Sequence, residues 1–299
     1  MKKGIFLILS LVSFAFLFAQ TDDTQIPPPL AAPWEIVEVS ALPGPIPYPV
    51  VRQNDVMWSV YIWREIDLRE KRNHALYFPT EPQGMYRNLA QVILDAIDLD
   101  NPDNEDALPI YTNEDCNIKV DRSEIKNALV NTKRIPRFDP DTGEPIGEMD
   151  IDEPFTAAQV MYYRLKEVWF FDKNRGELSV RILSIEPFFE YERDAGSGAG
   201  NDDDVVSLKT KRRLGYIRYD ELRPYLSKQV YFTPRNTALH VTFDDVLTWK
   251  RYFSSYVIAE SNPQNREIQD YKKNPRDQRL ESEKILNQIR NFESELWEY

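Results

Sequence analysis

From Asp55 to Trp63 the residues alternate with a period of two, a pattern that only an extended backbone can use. Val56, Trp58, Val60 and Ile62 fall on one side of the strand, and Met57, Tyr61 and Trp63 on the other. Large apolar side chains on both sides predict a strand inside a sheet that is covered on both faces. The charged stretch Arg64-Glu-Ile-Asp-Leu-Arg-Glu-Lys-Arg72 follows directly, and it offers neither an isolated nucleophile nor a cluster of metal ligands.

Downstream, Met85, Leu89, Ile93, Ala96 and Ile97 recur at helical spacing, which predicts an amphipathic helix over 84–98. Polar residues Asp98 to Asp106 break that pattern, and residues 107–112 are expected to form a short strand. Asp121 followed by Glu124, Ile125 and Leu129 predicts a helix with a side-chain cap. Asp139 to Asp152 contains Pro140, Gly143, Pro145 and Gly147 and is expected to be a loop. The clearest hairpin pairs Val168–Phe171 with Leu178–Ile185 across the turn Asp172–Gly176. A glycine and aspartate loop spans Asp194 to Asp204, and Leu214 to Tyr219 is expected to return to the sheet. Thr242-Phe-Asp-Asp245 places side-chain oxygens at the start of a helix whose apolar side would be Val246, Trp249, Phe253, Tyr256 and Val257. After Pro275, Ile285, Ile289, Phe292, Leu296 and Tyr299 form a narrow helical stripe that docks on the chain's own core or on another chain. The fold class expected is α+β: a mainly antiparallel sheet with packed helices in a main domain over 55–274, and a C-terminal amphipathic helix over 275–299.

The first 19 residues have the form of a secretory signal: Lys2 and Lys3, an apolar run from Ile5 to Phe18, and small Ala19 at the cleavage point. That run is shorter than the roughly 20 residues a membrane-crossing helix needs. Export with a single cysteine, Cys116, leaves no internal disulfide, so a hydrophobic core must supply the stability. Removal of the two lysines takes the formal charge from −12 to −14. An acidic chain repels nucleic-acid phosphates and anionic lipid headgroups alike. Residues 20–54 carry Pro27, Pro28, Pro29, Pro33, Pro43, Pro45, Pro47 and Pro49 and form an extended arm. The arm is either a solvated linker or a strap across a neighbouring subunit, with Trp34, Ile36 and Val37 as anchors.

No residue pattern announces catalysis. His74 and His240 are far apart and outside any metal motif, and no G-x-S-x-G elbow occurs. Cys116 stands beside Glu114 and Asp115, carboxylates that would raise its pKa and make it a poor nucleophile. Gly196-Ser-Gly-Ala-Gly200 leads into Asp202, Asp203 and Asp204, which repel phosphate. Asp139-Pro-Asp-Thr-Gly-Glu144 has the oxygen-rich character of a calcium loop, but Gly143 stands where an EF-hand needs a ligand. No cofactor is therefore expected. Carboxylates are numerous enough for two to meet in the fold, so a hydrolase with paired acids is the competing function.

Four separated stretches, taken in order, resemble one family. They are Trp63-Arg-Glu-Ile-Asp-Leu-Arg-Glu-Lys71 with Leu76-Tyr-Phe-Pro79; the hairpin Lys166–Lys173 with Val180–Pro187; Tyr219-Asp-Glu-Leu-Arg-Pro-Tyr225; and Phe243–Tyr256 with Glu260-Ser-Asn262. From Trp58 to Tyr271 the chain resembles the gliding motility protein family GldN, also called PorN. The resemblance implies a non-enzymatic periplasmic component of the type IX secretion system that forms a ring with an outer-membrane lipoprotein of the GldK/PorK type. It also implies work alongside the GldL/PorL and GldM/PorM motor and shaft proteins, and attachment to the outer membrane through the lipoprotein. A ring subunit presents two different surfaces to its neighbours. The candidates for partner contact are Trp34 on the arm; Trp249, Phe253 and Tyr256 on one helix; and Ile285, Ile289, Phe292 and Leu296 on the last.

The mature protein recovered from an expressing cell is expected to begin at Gln20. N-terminal sequencing or intact mass checks this, and a product that retains Lys2 and Lys3 refutes it.

Overall fold

In the computed structural model, residues 44–297 are described except 102, 139–144, 154, 195–206 and 234–240. They lie within one compact unit, Val39–Tyr299. The elements run in the order β1 (Val56–Asp67), α1 (His74–Tyr77), α2 (Leu89–Ile97), β2 (Ile110–Tyr111), β3 (Lys119–Val120) and α3 (Arg122–Leu129). Next come β4 (Asn131–Phe138), β5 (Pro145–Glu153), β6 (Val160–Asp172), β7 (Glu177–Asp194), β8 (Ser207–Arg213), β9 (Ile217–Arg218) and α4 (Tyr219–Leu226). The chain continues through β10 (Val230–Tyr231), β11 (Val241–Thr242), a π-helical turn (Asp245–Lys250), β12 (Tyr256–Glu260), α5 (Ile268–Tyr271) and α6 (Pro275–Trp297).

The main sheet is antiparallel in the order β12-β1-β6-β7-β8, with β9 beside β7. This is the α+β arrangement expected, and the predicted hairpin is its centre, lengthened to 160–194. Directly opposed residues share a face. Ile66 opposes Tyr163, and Leu165 opposes Ile185. These side chains are fully buried against Leu89, Ile93 and Ile97 of α2 and against Tyr219, Leu222 and Leu226 of α4. A second cluster joins Ile62 and Val257 to Ile268, Ile285 and Ile289 of the last two helices. The opposite face of β1 is open in part, against the expectation of burial on both sides: Met57 is 63 % exposed and Tyr61 44 %. There the Lys166 ammonium lies 6.0 Å from the centre of the Tyr61 ring and 5.5 Å from that of Trp63, so the aromatics meet a cation instead of a second core.

Three other expectations are corrected. The predicted helix over 84–98 starts only at Leu89, because Gly84 holds φ 59° and Asn88 caps the helix in an extended conformation. Gln91 N–H donates to Asn88 Oδ1 (2.7 Å) and Asn88 N–H to Gln91 Oε1 (2.9 Å). The loop expected over 139–152 is a strand from Pro145 onward, paired with β4. Pro145 opens that strand, a position where the missing N–H costs little. Asp139 to Glu144, the calcium-like loop, lies outside the described residues.

The third correction concerns the helix over 242–257. It begins as expected, with Asp245 N–H donating to Thr242 Oγ1 (3.2 Å), but it ends at Lys250, where Arg251 turns left-handed at φ 46°. Tyr256 and Val257 belong to edge strand β12, where they oppose Glu65 and Arg64. Pairing with β1 outweighs the helical spacing that those residues show in sequence. The capped helix at Asp121 is found at Arg122–Leu129, with Asp121 Oδ1 accepting from Ser123 N–H at 3.1 Å.

Helix α6 covers β12. The Val257 N–H, which points away from β1, donates to Ser282 Oγ at 2.7 Å, and Ile285 and Ile289 are buried beside it. Phe292 meets Trp58 with ring centres 4.9 Å apart. An edge strand closed in this way does not recruit further strands.

Ile285→Ala is expected to cost about 2–5 kcal/mol, since it opens a cavity between helix and sheet. Urea unfolding of the two proteins checks this, and an unchanged midpoint would show that α6 is not docked in solution.

Candidate functional site

Two constellations of polar side chains stand out, one at the arm and one on the partly open face of the sheet. The first is built on α4 and the π-helical turn. Asp244 and Arg223 are both buried and meet in a two-pronged ion pair, Nε to Oδ1 and Nη2 to Oδ2, each 2.9 Å. Thr248 Oγ1 donates to Asp244 Oδ1 (2.8 Å) and contacts the Tyr219 hydroxyl (2.9 Å), so every member of the network is held by another. Arg223 Nη2 then reaches outward to the Ile46 carbonyl (2.6 Å), and Arg181 Nη2 to the Pro49 carbonyl (2.5 Å). Between these contacts the Tyr48 ring lies 4.1 Å from the Arg223 guanidinium and 5.0 Å from that of Arg181. Its centre is 5.9 Å from that of Trp249. The end of the proline-rich arm is therefore fastened to the body of its own chain. Trp249 remains 41 % exposed and Tyr252, under the Arg72 guanidinium at 4.7 Å, 56 % exposed.

The second constellation lies in a cleft of about 640 Å³ between the sheet edge and α5–α6, lined among others by Glu65, Tyr162, Arg164, Phe188, Tyr256 and Glu267. Arg164 is its hub. It donates to Glu267 Oε1 at 3.1 Å, lies 3.8 Å from Glu65 Oε2 and stacks 5.1 Å from the Phe188 ring. The Tyr256 hydroxyl donates to Glu65. In the ladder Arg164 stands between Glu65 on β1 and Glu186 on β7. Glu186 is 2 % exposed, neither of its oxygens has a hydrogen-bond donor among the described residues, and Arg213 is 3.8 Å away. Burial pushes its carboxyl up to about 7, against the pull of Arg164 and Arg213. Two acids that flank one guanidinium can fasten adjacent strands together.

The sequence-predicted residues are scattered. Trp249 is on the surface beside the arm, Phe253 is buried in the main core, and Tyr256 is half-buried over Glu65. Ile285 and Ile289 face the chain's own sheet, Phe292 leans on Trp58, and Leu296 falls in the last turn of α6. Trp34, His240 and the glycine loop lie outside the described residues. His74 contacts the Arg69 carbonyl through Nε2 at 3.3 Å. Burial, more than its acidic neighbours, raises the Cys116 thiol. No helix among the described residues is long and apolar enough to cross a membrane.

Sequence reasoning missed Tyr48, Glu186, Arg223 and Asp244, and also Glu167, which is fully buried and accepts from Arg251 Nη2 at 2.7 Å. A signal was present for Arg223, a single charge between Leu222 and Pro224; Glu167 follows Lys166 and Asp244 precedes Asp245, so the local sequence does not set those two apart. A charge in such a setting is buried with a partner or not at all.

Because the folded-state value of Glu186 is raised from 4.5 to about 7, the folded protein holds a proton that the unfolded chain releases in that interval. Stability from this group is full below the unfolded value and is lost as pH rises through the folded one. Glu186→Gln is expected to be more stable than the parent near pH 8 by about 1–3 kcal/mol, with the gap closing near pH 5. Urea unfolding at both pH values decides, and a pH-independent difference would refute the assignment.

Residues 51–298 match the family model described as gliding motility associated protein GldN. No curated protein matches the chain.

Proposed function

The chain belongs to the GldN family, a component of the gliding motility and type IX secretion machinery, and from that premise we propose that it is a non-enzymatic structural subunit of a periplasmic ring. In this reading an outer-membrane lipoprotein of the GldK/PorK type carries the ring at the membrane, and a GldM/PorM-type shaft protein meets it from the other side. The observation that carries the proposal is the exposed pair of aromatics Trp249 and Tyr252, one on and one just beyond the π-helical turn that follows the buried Arg223–Asp244 pair. Exposed aromatics on an immobile base lose little entropy on association, which is why such residues dominate protein interfaces.

The cleft supports this reading over paired-acid hydrolysis. Of the four acids that line it, Glu65 and Glu267 are engaged by Arg164, Glu65 also by Tyr256, and Glu283 lies 3.7 Å from Arg279; Glu70 is the fourth. The net negative charge of the mature chain opposes direct adsorption to anionic lipid, so contact with the outer membrane falls to the lipoprotein.

Co-expression with the lipoprotein from the same genome, followed by affinity purification, is expected to recover both in one very large particle. Combined Trp249→Ala and Tyr252→Ala should weaken that capture by about tenfold or more with little change in melting temperature. Capture at the parental level would remove the two aromatics from the interface. A parent chain that stays monomeric beside the lipoprotein would overturn the ring itself.

A further inference from the structure

One half of the seat that holds the arm is fixed without the arm. Arg223 is locked by both oxygens of Asp244 and by the Thr248–Tyr219 pair behind it, so its outward Nη2 stays in place whatever accepts from it. Arg181, the other half, is carried on the sheet above the Phe170 ring at 5.4 Å and hydrogen-bonds the arm itself. The arm, by contrast, is held on one side only. Ile46 is 54 % exposed and Val50 92 % exposed. Pro45, Pro47 and Pro49 have no N–H to give, and the segment belongs to no strand. What the seat recognises is two carbonyls and one aromatic ring on a proline-stiffened stretch, the chemistry by which proline-rich peptides dock into aromatic grooves. In the link from Val51 to β1, Lys173 holds the Asn54 carbonyl through Nζ (2.6 Å) and the Asp55 carbonyl through its backbone N–H (2.9 Å), so the hinge is confined to residues 51–53.

We propose that residues 44–50 are an exchangeable strap whose seat, made by Arg181, Arg223 and Trp249, is occupied in the assembled protein by the same segment of a second copy. The occupant follows from the contacts: an identical segment makes the same two carbonyl hydrogen bonds and the same ring stacking in a neighbour as in its own chain. An arm leaving one body for the seat of the next is a head-to-tail contact, which generates a closed ring when the rotation permits. The short tether gives the chain's own arm an effective concentration in the millimolar range, so exchange requires copies held side by side. The inference therefore rests on the ring reading above, because that assembly supplies the crowding.

The test replaces Tyr48→p-benzoylphenylalanine in the mature chain, assembles an equal mixture of nitrogen-14 and nitrogen-15 copies with the lipoprotein, and photocrosslinks the particle. Exchange predicts that about half of the peptide pairs joining position 48 to the Trp249 segment carry mixed labels, as random neighbours would. Intact rings in which every such pair carries a single label overturn the strap and leave the ring reading standing. Failure of the parent to form any large particle overturns both. As an independent readout, Tyr48→Ala and Arg181→Ala copies should each assemble poorly alone, whereas their mixture should recover paired copies through the one intact arm and the one intact seat. A mixture no better than either variant counts against exchange.

Discussion

A single buried anion organises this fold. Glu167 has no solvent exposure, and its two oxygens accept from Arg251 Nη2 at 2.7 and 2.9 Å and from the Trp169 indole at 2.9 Å, with Arg64 at 3.8 Å. These partners come from β6 itself, from β1 and from the exit of the π-helical turn. An unpaired charge at this depth would cost about 3–5 kcal/mol, so the three segments come together or not at all. Arg251 takes a left-handed backbone to make the contact, and that reversal ends the π-helical turn before the chain enters β12. Buried Asn73 fastens the same exit: its side chain accepts from Ser254 N–H and donates to the Asp67 and Ser254 carbonyls, all within 2.7–2.8 Å.

With that exit fixed, β12 lies beside β1 and exposes an edge, and the edge explains α6. The helix contributes Ser282 to a backbone N–H and Ile285 and Ile289 to the apolar surface. The amphipathic stripe read in the sequence is thereby turned toward the chain's own sheet. Contact with a partner through α6 would use the residues on its outer side. The partly open sheet face carries a row of ionisable side chains, Glu65, Arg164 and Glu186, with Lys166 between Glu114 at 3.6 Å and Asp115 at 3.2 Å. Such a row pins strand register, because a slip of one residue would move every one of these groups onto the apolar face.

The proposed assembly uses one of several exposed surfaces among the described residues. That surface runs from the strapped arm across Trp249 to Tyr252, on a base that the Arg223–Asp244 pair keeps from moving. Under the proposed ring reading, a subunit needs such immobility more than it needs a pocket. Membership of a motility-associated family and an exposed aromatic pair on such a base are consistent in that respect.

Much of the secondary structure was legible in the sequence. The alternation of Val56 to Trp63, the hairpin about Asp172–Gly176, the Asp121 cap and the helical stripe after Pro275 are local patterns, and local patterns are carried by neighbouring residues. The motifs behind the family resemblance were legible too, and they contain the residues that lock the core: Arg64, Glu167, Arg223, Asp244 and Arg251. Their roles were not legible. Glu167 and Arg251 are 84 residues apart in the chain, Tyr256 and Glu65 are 191 apart, and Ile46 and Arg223 are 177 apart. Only the tertiary structure brings them together, and only there does desolvation make each pairing compulsory. The same reason makes Tyr256 a strand residue despite its helical spacing: a ladder with β1 satisfies its backbone, and no residue within a turn of it records that β1 is near.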